Sequence, residues 1–283
     1  MIVARTKEEI FGPLAAMRAR GERLALVPTM GYLHEGHLSL VRQAQKLADR
    51  VAVTIFVNPA QFGPNEDLDR YPRDLEGDLD KCEKAGVWMV FAPSDPRVMY
   101  REEHSTWVDV EGPLTAGLCA VRRPGHFRGV ATVVLKLFHL FRPDVAVFGK
   151  KDYQQLAVIR QMVEDLDLAP TLQIVGGETV REPDGLALSS RNAYLSADER
   201  RRALSLFRGL SRARKLFEGG EREAAALVEA ARAVIEPEVD RIDYLEVVDA
   251  RSLAPVERIE APACILVAAF VGTTRLIDNV ELG

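Results

Sequence analysis

The chain has 283 residues, of which 47% are hydrophobic and 28% charged, a composition typical of globular proteins and sufficient for a sizeable core. Its net charge of −5 argues against a general affinity for nucleic acid, so phosphate chemistry would need a local positive site. No apolar run reaches the roughly 18 residues of a membrane span, and no signal peptide is evident. The three cysteines are far apart in sequence, which indicates small buried residues or free thiols and not a disulfide framework. We therefore expect a cytoplasmic protein that binds neither nucleic acid nor a membrane.

The first part of the chain predicts helices alternating with strands. Residues 7–20 predict a helix interrupted at Gly12-Pro13, and residues 24–27 predict the first strand. Apolar residues at 40, 41, 44, 47 and 48 have the spacing of a second helix. Residues 51–57 form a continuous, largely β-branched run, which is typical of a parallel strand buried on both faces.

Two histidines lie where the first strand leads into the second helix. Gly31 and Gly36 would let the backbone approach a ligand closely, and the start of a helix favours a phosphate. His34 and His37 would lie at this helix start, at the strand end where open α/β sheets bind ligands. The alternatives are ordinary surface or capping histidines, or a zinc site, for which no third ligand is evident nearby.

The next strand also ends in a candidate residue. Gln61 follows strand 51–57 at its carboxyl edge, although a glutamine in a solvated turn fits the local pattern as well. Residues 64–86 are acidic and predict mainly a solvated helix face, while a carboxylate near a triphosphate could hold magnesium. Further strands are predicted at 87–91 and 106–110.

A long apolar helix precedes a second strand-to-helix turn. Residues 125–141 have the helical apolar spacing of a core helix, and residues 145–148 predict a buried strand. This strand runs into a turn that can bind phosphates, or that simply begins a solvated helix: Gly149, Lys150, Lys151 and Asp152. Gln155 lies one turn inside the next helix, and residues 172–175 predict the last strand of this half.

The remaining third changes in character after Gly176-Gly177. We predict two domains, residues 1–176 and residues 177–283. A loop then carries Ser189, Ser190 and Arg191; arginine suits developing phosphate charge, but a single loop arginine is more often simply solvated. Helices at 197–217 and 221–235, with strands at 242–248, 263–270 and 274–280, predict a separate α+β unit.

Five motifs occur in one order along the chain. They are Pro28-Thr29-Met30-Gly31 with His34-x-Gly36-His37, Asn58-Pro59-x-Gln61-Phe62-Gly63, Tyr71-Pro72-Arg73, Phe148-Gly149-x-Lys151-Asp152-Tyr153-Gln154-Gln155, and Asp184 to Asn192. Over essentially its whole length the chain resembles the pantoate–β-alanine ligases (pantothenate synthetases), members of the His-x-Gly-His nucleotidyltransferase group. The resemblance implies an α/β fold, with a Rossmann-like parallel-sheet domain for ATP and pantoate, a smaller α+β C-terminal lid domain, and a homodimer.

The resemblance also implies a reaction. Family members use ATP and Mg²⁺ to join (R)-pantoate to β-alanine, releasing AMP and pyrophosphate. The pantoate carboxylate attacks the α-phosphorus to give an enzyme-bound pantoyl adenylate, whose carbonyl is then attacked by the β-alanine amine. Such a transfer depends mainly on positioning and charge stabilisation.

Individual roles follow by position. His34, His37, Lys151 and Arg191 would be the catalytic set, with His37 as the proton donor. Gln61 and Gln155 would hydrogen-bond pantoate, Gln61 would also meet β-alanine, and an apolar wall would hold the gem-dimethyl group: Met30, Val133 and Val134. Asp152 would lie near the ribose. The ATP-binding set would be Pro28, Thr29, Met30, Gly31, His34, Gly36, His37, Gly149, Lys150, Lys151, Asp152, Val180, Leu188, Ser189, Ser190 and Arg191.

Two positions depart from the family pattern. Lys150 stands where related sequences commonly have Glu, and Glu76-Gly77-Asp78 stands where some carry adjacent aspartates near magnesium, which leaves Asp78 as the metal candidate. A related nucleotidyltransferase acting on a phosphorylated acceptor is the main alternative, but the two glutamines and the apolar wall favour an uncharged diol acid. A nucleotide-binding protein without catalysis is the other alternative, against which the intact catalytic set argues.

Overall fold

The computed structural model describes residues 1–64 and 66–283. They group into two compact units. The N-terminal unit comprises Met1–Val110, Arg123–Lys150 and Val158–Glu178, and the C-terminal unit comprises Glu111–Arg122, Lys151–Ala157 and Thr179–Gly283. The predicted first domain, residues 1–176, includes segments 111–122 and 151–157, which here group with the C-terminal unit. That residue 176 separates two independently folding domains stays a prediction.

The N-terminal unit is built on six parallel strands in the order β1-β4-β3-β2-β5-β6. They are β1 (Ile2–Ala4), β2 (Leu24–Thr29), β3 (Arg50–Ile55), β4 (Met89–Phe91), β5 (Val145–Gly149) and β6 (Gln173–Gly177). The chain leaves β2 toward β3 on one side, while β5 lies on the other. The carboxyl ends of β2 and β5 therefore form a topological switch point, where open α/β sheets bind ligands.

Helices connect these strands. They are α1 (Glu8–Ala19), α2 (Glu35–Gln45), α3 (Leu75–Lys84), α5 (His126–Phe141) and the later part of α6 (Tyr153–Asp165), while α4 (Leu118–Arg122) belongs to the C-terminal unit. Val27, Val53 and Val147 of these strands are fully buried. Their apolar runs predicted such burial, which is typical of a parallel sheet. The Rossmann-like α/β class is confirmed.

Three details differ from the prediction. Residues 106–110 form no strand, because the Val108 N–H donates to Thr132 Oγ1 at 3.0 Å and not to a strand ladder. The edge strand β1 is additional. Helix α1 continues through Gly12-Pro13, since its buried face of Ile10, Leu14 and Met17 spans the proline.

The C-terminal unit contains the predicted α+β arrangement. Its antiparallel sheet has the order β7-β8-β9, formed by β7 (Arg241–Asp249), β8 (Ala263–Val271) and β9 (Thr274–Leu282). Helices α7 (Ala197–Glu218) and α8 (Ala224–Ile235) share a core with it. A capping box of Ser196 and Glu199 begins α7.

Three buried cysteines lie among the described residues, and they form no disulfide with one another: Cys82, Cys119 and Cys264. Burial raises the pKa of the Cys82 thiol to about 12. In the described part of the chain, no helix is long and apolar enough to cross a membrane.

Candidate active site

Both predicted histidines lie at the start of α2, one turn apart. The Gly36 N–H donates to His34 Nδ1 at 3.2 Å, and the His34 N–H donates to His37 Nδ1 at 3.2 Å. The two rings lie 4.1 Å apart between centroids. Each histidine therefore accepts a backbone N–H at the helix start, as in a capping box, which agrees with the capping interpretation of the sequence. These bonds use only the Nδ1 atoms, so they do not conflict with a chemical role for Nε2.

These capping bonds determine the tautomer of both histidines. A backbone N–H can only donate, so each Nδ1 is an acceptor and the proton of each neutral ring lies on Nε2. The site thus contains two imidazole Nε2–H donors on one helix turn, beside the positive end of the helix dipole. Such an arrangement suits hydrogen bonding to phosphate oxygens.

The loop before the histidines is held by Asp78. Its carboxylate accepts the N–H of Tyr32 at 2.7 Å and the N–H of Leu33 at 2.6 Å, and its side chain is almost fully buried. Burial raises the pKa of Asp78 above its usual range, against the lowering effect of the two N–H groups and of Lys81. The sequence placed Asp78 with the solvated acidic residues as a metal candidate, whereas the structure gives it protein donors.

Gln61 is buried, not solvated, with 8% of its surface exposed. Its amide oxygen accepts from Asn58 Nδ2 at 3.0 Å, and its amide nitrogen approaches Met30 Sδ at 3.1 Å. Two predicted pantoate contacts, Gln61 and Met30, are thus brought together. Asn58 orients the Gln61 amide. It belongs to a sequence motif but was not predicted as a site residue.

A charged network supports the backbone of the same turn. The Arg123 guanidinium can only donate, so its 3.1 Å contact makes His126 Nε2 an acceptor. The ring proton then lies on Nδ1, which donates to the Gln61 carbonyl at 2.8 Å. Arg123 is also paired with Glu66 at 2.5 Å. Burial works to raise the pKa of Glu66, but Arg123, His126 and the Gly63 backbone together outweigh it, and the pKa lies below its usual range. These residues position Gln61 through its backbone.

Helix α5 lies close to the turn at Gly129. A Cβ atom there would lie 2.2 Å from the Ala60 carbonyl oxygen and 2.7 Å from Gln61 Cα, both backbone atoms that cannot rotate away. The predicted apolar wall, Val133 and Val134, is on the same helix and is almost fully buried. This burial fits the core interpretation of these valines, and their contact with a substrate stays a prediction.

We expect Gly129→Ala to lower the free energy of unfolding by about 1–3 kcal/mol, because the added methyl group forces α5 and the Gln61 turn apart. Gly12→Ala is the matched control, a helix glycine with no atom within 4 Å of its added Cβ. It should raise stability by about 0.5–1 kcal/mol. Urea unfolding measures both, and equal stability of the two variants would contradict the steric argument.

The C-terminal unit holds the other predicted phosphate ligands. The Lys151 carbonyl oxygen accepts from Asn279 Nδ2 of β9 at 2.9 Å, and Lys151 Nζ lies 3.7 Å from Asp152 Oδ2. Two adjacent glutamines differ in burial here. Gln154 is buried and bonds Cys119 N, Leu114 O and Gly117 O, whereas the predicted substrate ligand Gln155 is half-buried.

A short hairpin leads into the two serines and is held by an ion pair with a buried carboxylate. The Leu188 N–H donates to the Val180 carbonyl at 3.0 Å, which pairs two predicted ATP contacts. Ser189 Oγ accepts the N–H of Arg191 at 3.3 Å and so begins the turn that carries Ser190 and Arg191. Arg181, at the base of the hairpin, donates to Asp278 Oδ2 at 2.6 Å and to Asp278 Oδ1 at 2.9 Å.

Lys150, the departure from the family pattern, is paired within the N-terminal unit. Its Nζ lies 2.7 Å from Glu178 Oε1. This carboxylate offsets the extra positive charge that the sequence predicted beside the phosphates. Neither Glu178 nor Asn279 could have been assigned to the site from sequence, because no local motif contains them.

Comparison with known proteins decides the family. The model of the Pantoate-beta-alanine ligase family matches residues 2–281. The chain belongs to the pantoate–β-alanine ligase family. It is 58% identical to the pantothenate synthetase of Myxococcus xanthus, over 99% of this chain and 96% of that protein.

Solved structures agree with this family over the full length. The pantothenate synthetase of Thermus thermophilus has a TM-score of 0.91 at 46% identity, covering 100% of this chain and 99% of that one. A pantoate–β-alanine ligase from Francisella tularensis, in complex with β-γ ATP and β-alanine, has a TM-score of 0.81 at 30% identity, covering 99% and 97%. The chain is therefore an AMP-forming carbon–nitrogen ligase of pantothenate biosynthesis, and the family reaction condenses pantoate with β-alanine through pantoyl adenylate.

Proposed function

We propose that the histidine pair of α2 supplies the main charge stabilisation for pantoyl-adenylate formation in this chain. The supporting observation is the reciprocal cap, which keeps the proton of each neutral ring on Nε2. As pyrophosphate leaves, negative charge grows on its oxygens, and preorganised donors stabilise that charge without reorganising. His37 acts as the donor to the leaving group and His34 as a second donor to the phosphates.

The remaining assignments follow the family pattern residue by residue. Lys151 and Arg191 neutralise the phosphates, with Ser189 and Ser190 as hydroxyl donors, and Asp152 contacts the ribose. The other ATP contacts are Pro28, Thr29, Met30, Gly31, Gly36, Gly149, Lys150, Val180 and Leu188. Gln61 and Gln155 orient pantoate, and Gln61 also contacts β-alanine; the Asn58 bond holds the Gln61 amide in one orientation.

Magnesium, assembly and location are proposals of the same kind. Among residues 1–64 and 66–283, no group of three or more His, Cys, Asp or Glu side chains could hold a metal ion. We propose that Mg²⁺ arrives with ATP, held chiefly by phosphate oxygens and water, as is usual for this ion. A homodimer in the cytoplasm is the arrangement that we expect for this biosynthetic enzyme.

A pyrophosphate-release assay with ATP, Mg²⁺ and pantoate tests the proposed function. We expect pyrophosphate only when pantoate is present, and sustained turnover to pantothenate and AMP once β-alanine is added. Omitting β-alanine isolates the first half-reaction, since the adenylate then stays bound.

No pyrophosphate with pantoate, but release with a phosphopantetheine-type acceptor, would instead support a nucleotidyltransferase of phosphorylated acceptors. ATP binding without pyrophosphate from any carboxylic acid would indicate a protein that has lost catalysis. The two outcomes are separated by adding each acceptor alone at the same ATP concentration.

A further inference from the structure

A buried carboxylate on α3 holds the loop that leads into the histidine pair. Asp78 is 1% exposed, and each of its oxygens accepts one backbone N–H, from Tyr32 at 2.7 Å and from Leu33 at 2.6 Å. These donors are 46 and 45 residues away in the chain. Charged acceptors make stronger hydrogen bonds than neutral ones, so the contact ties α3 firmly to the loop.

The loop needs such an acceptor because of its backbone conformation. Gly31 and Tyr32 both have positive φ, +87° and +52°, and the second is unfavourable for a residue with a side chain. This conformation turns the N–H groups of Tyr32 and Leu33 toward Asp78. Without the carboxylate these donors would be left without an acceptor away from water, which costs free energy. A Cβ atom on Gly31 would lie 3.0 Å from Asp78 Oδ2 and 2.9 Å from Ile55 Cγ2.

His34 is the next residue after this loop and caps α2 through its ring. A shift of the loop would therefore move both imidazoles, because His37 in turn accepts the His34 N–H. Building on the function proposed above, we propose that Asp78 is a positioning residue for the His34–His37 pair and not a ligand of the magnesium ion.

The surroundings of Asp78 do not suit a magnesium ligand. Each oxygen already accepts a short hydrogen bond, and Lys81 Nζ lies 3.7 Å from Oδ1, where it adds positive charge. Magnesium keeps several waters and demands near-octahedral geometry, which an almost fully buried carboxylate held by protein donors does not permit. The neighbouring position is Gly77, which offers no side chain to the ion.

The variant Asp78→Asn tests the proposal with little change of shape. The Asn oxygen accepts one of the two N–H groups, while its NH₂ faces the other. We expect pyrophosphate release with ATP and pantoate to slow by roughly ten- to a hundredfold, since misplaced catalytic groups cost that much. The Mg²⁺ concentration for half-maximal rate should not change. A tenfold or larger rise in that concentration would instead make Asp78 a metal ligand and overturn the proposal.

Asp80→Asn is the matched control on the same helix. Asp80 is exposed and paired with Lys84 at 2.7 Å, so its loss should leave both the rate and the Mg²⁺ requirement unchanged. A second readout does not depend on activity. Imidazole ¹⁵N NMR should report acceptor Nδ1 atoms in the wild type and in Asp80→Asn, and altered His34 and His37 signals in Asp78→Asn.

Hydrogen exchange of the wild-type protein covers the case in which Asp78→Asn does not fold. We expect the Tyr32 and Leu33 amides to be protected and to keep that protection when MgATP is added. Loss of protection on adding Mg²⁺ would mean that the carboxylate leaves the loop for the ion, against the proposal. These NMR and exchange readouts stand even if the wild type releases no pyrophosphate, an outcome that would refute only the proposed function.

Discussion

His37→Ala should slow pantoyl-adenylate formation by roughly a hundred- to a thousandfold, equivalent to about 2.7–4 kcal/mol of transition-state stabilisation. The contact from Nε2–H strengthens as charge develops on the leaving pyrophosphate, so kcat falls more than ATP binding weakens. Single-turnover pyrophosphate release with ATP and pantoate measures the step directly. An unchanged rate would rule out the assigned role.

Two further variants separate the chemistry of His37 from its capping role. His37→Gln retains an oxygen for the His34 N–H, as in an ordinary capping box, and supplies an N–H donor. His37→Ala also removes the acceptor of the His34 N–H and should lower stability, whereas His37→Gln should recover part of the lost rate and nearly all of that stability. His139→Ala, which removes an exposed histidine from α5, should behave as the wild type. If His37→Gln were as slow as His37→Ala, proton donation rather than hydrogen bonding would be the required function.

Asp278→Asn should lower the free energy of unfolding by about 1–3 kcal/mol, because it leaves the half-buried Arg181 guanidinium without its counter-charge. The pair is bidentate, and the Asp278 side chain is 3% exposed. Since Arg181 is at the base of the hairpin that leads into Ser189, Ser190 and Arg191, we also expect a higher KM for ATP. Thermal and urea unfolding measure the first effect and steady-state kinetics the second.

The same hairpin provides a control. Asp184→Asn removes an exposed pair with Arg200, where both side chains are 38% exposed, and should cost at most about 1 kcal/mol. The double variant Arg181→Gln/Asp278→Asn removes both charges and should recover part of the stability. Equal stability of Asp278→Asn and Asp184→Asn would show that the buried pair does not hold the hairpin.

Much of the fold followed from local sequence patterns. The strand–loop–helix order around His34 and His37 was predicted correctly, because apolar periodicity and glycine positions are set by neighbouring residues. The α+β character of the last third was predicted correctly for the same reason. The strand expected at 106–110 was wrong because alternating side chains do not guarantee a strand partner, and here the Val108 N–H bonds a threonine hydroxyl.

The sequence by itself determined the fold class, the family and the identity of the candidate chemical groups, since these depend on motifs that are contiguous in the chain. Only the tertiary structure decided how those groups are held. Asp78 bonds a loop 46 residues before it, and Asn279 bonds Lys151 across 128 residues. Nothing local distinguishes Asp78 from the solvated carboxylates around it. A buried hydrogen bond between distant residues depends on which elements pack together, and that is decided by the burial of the whole core.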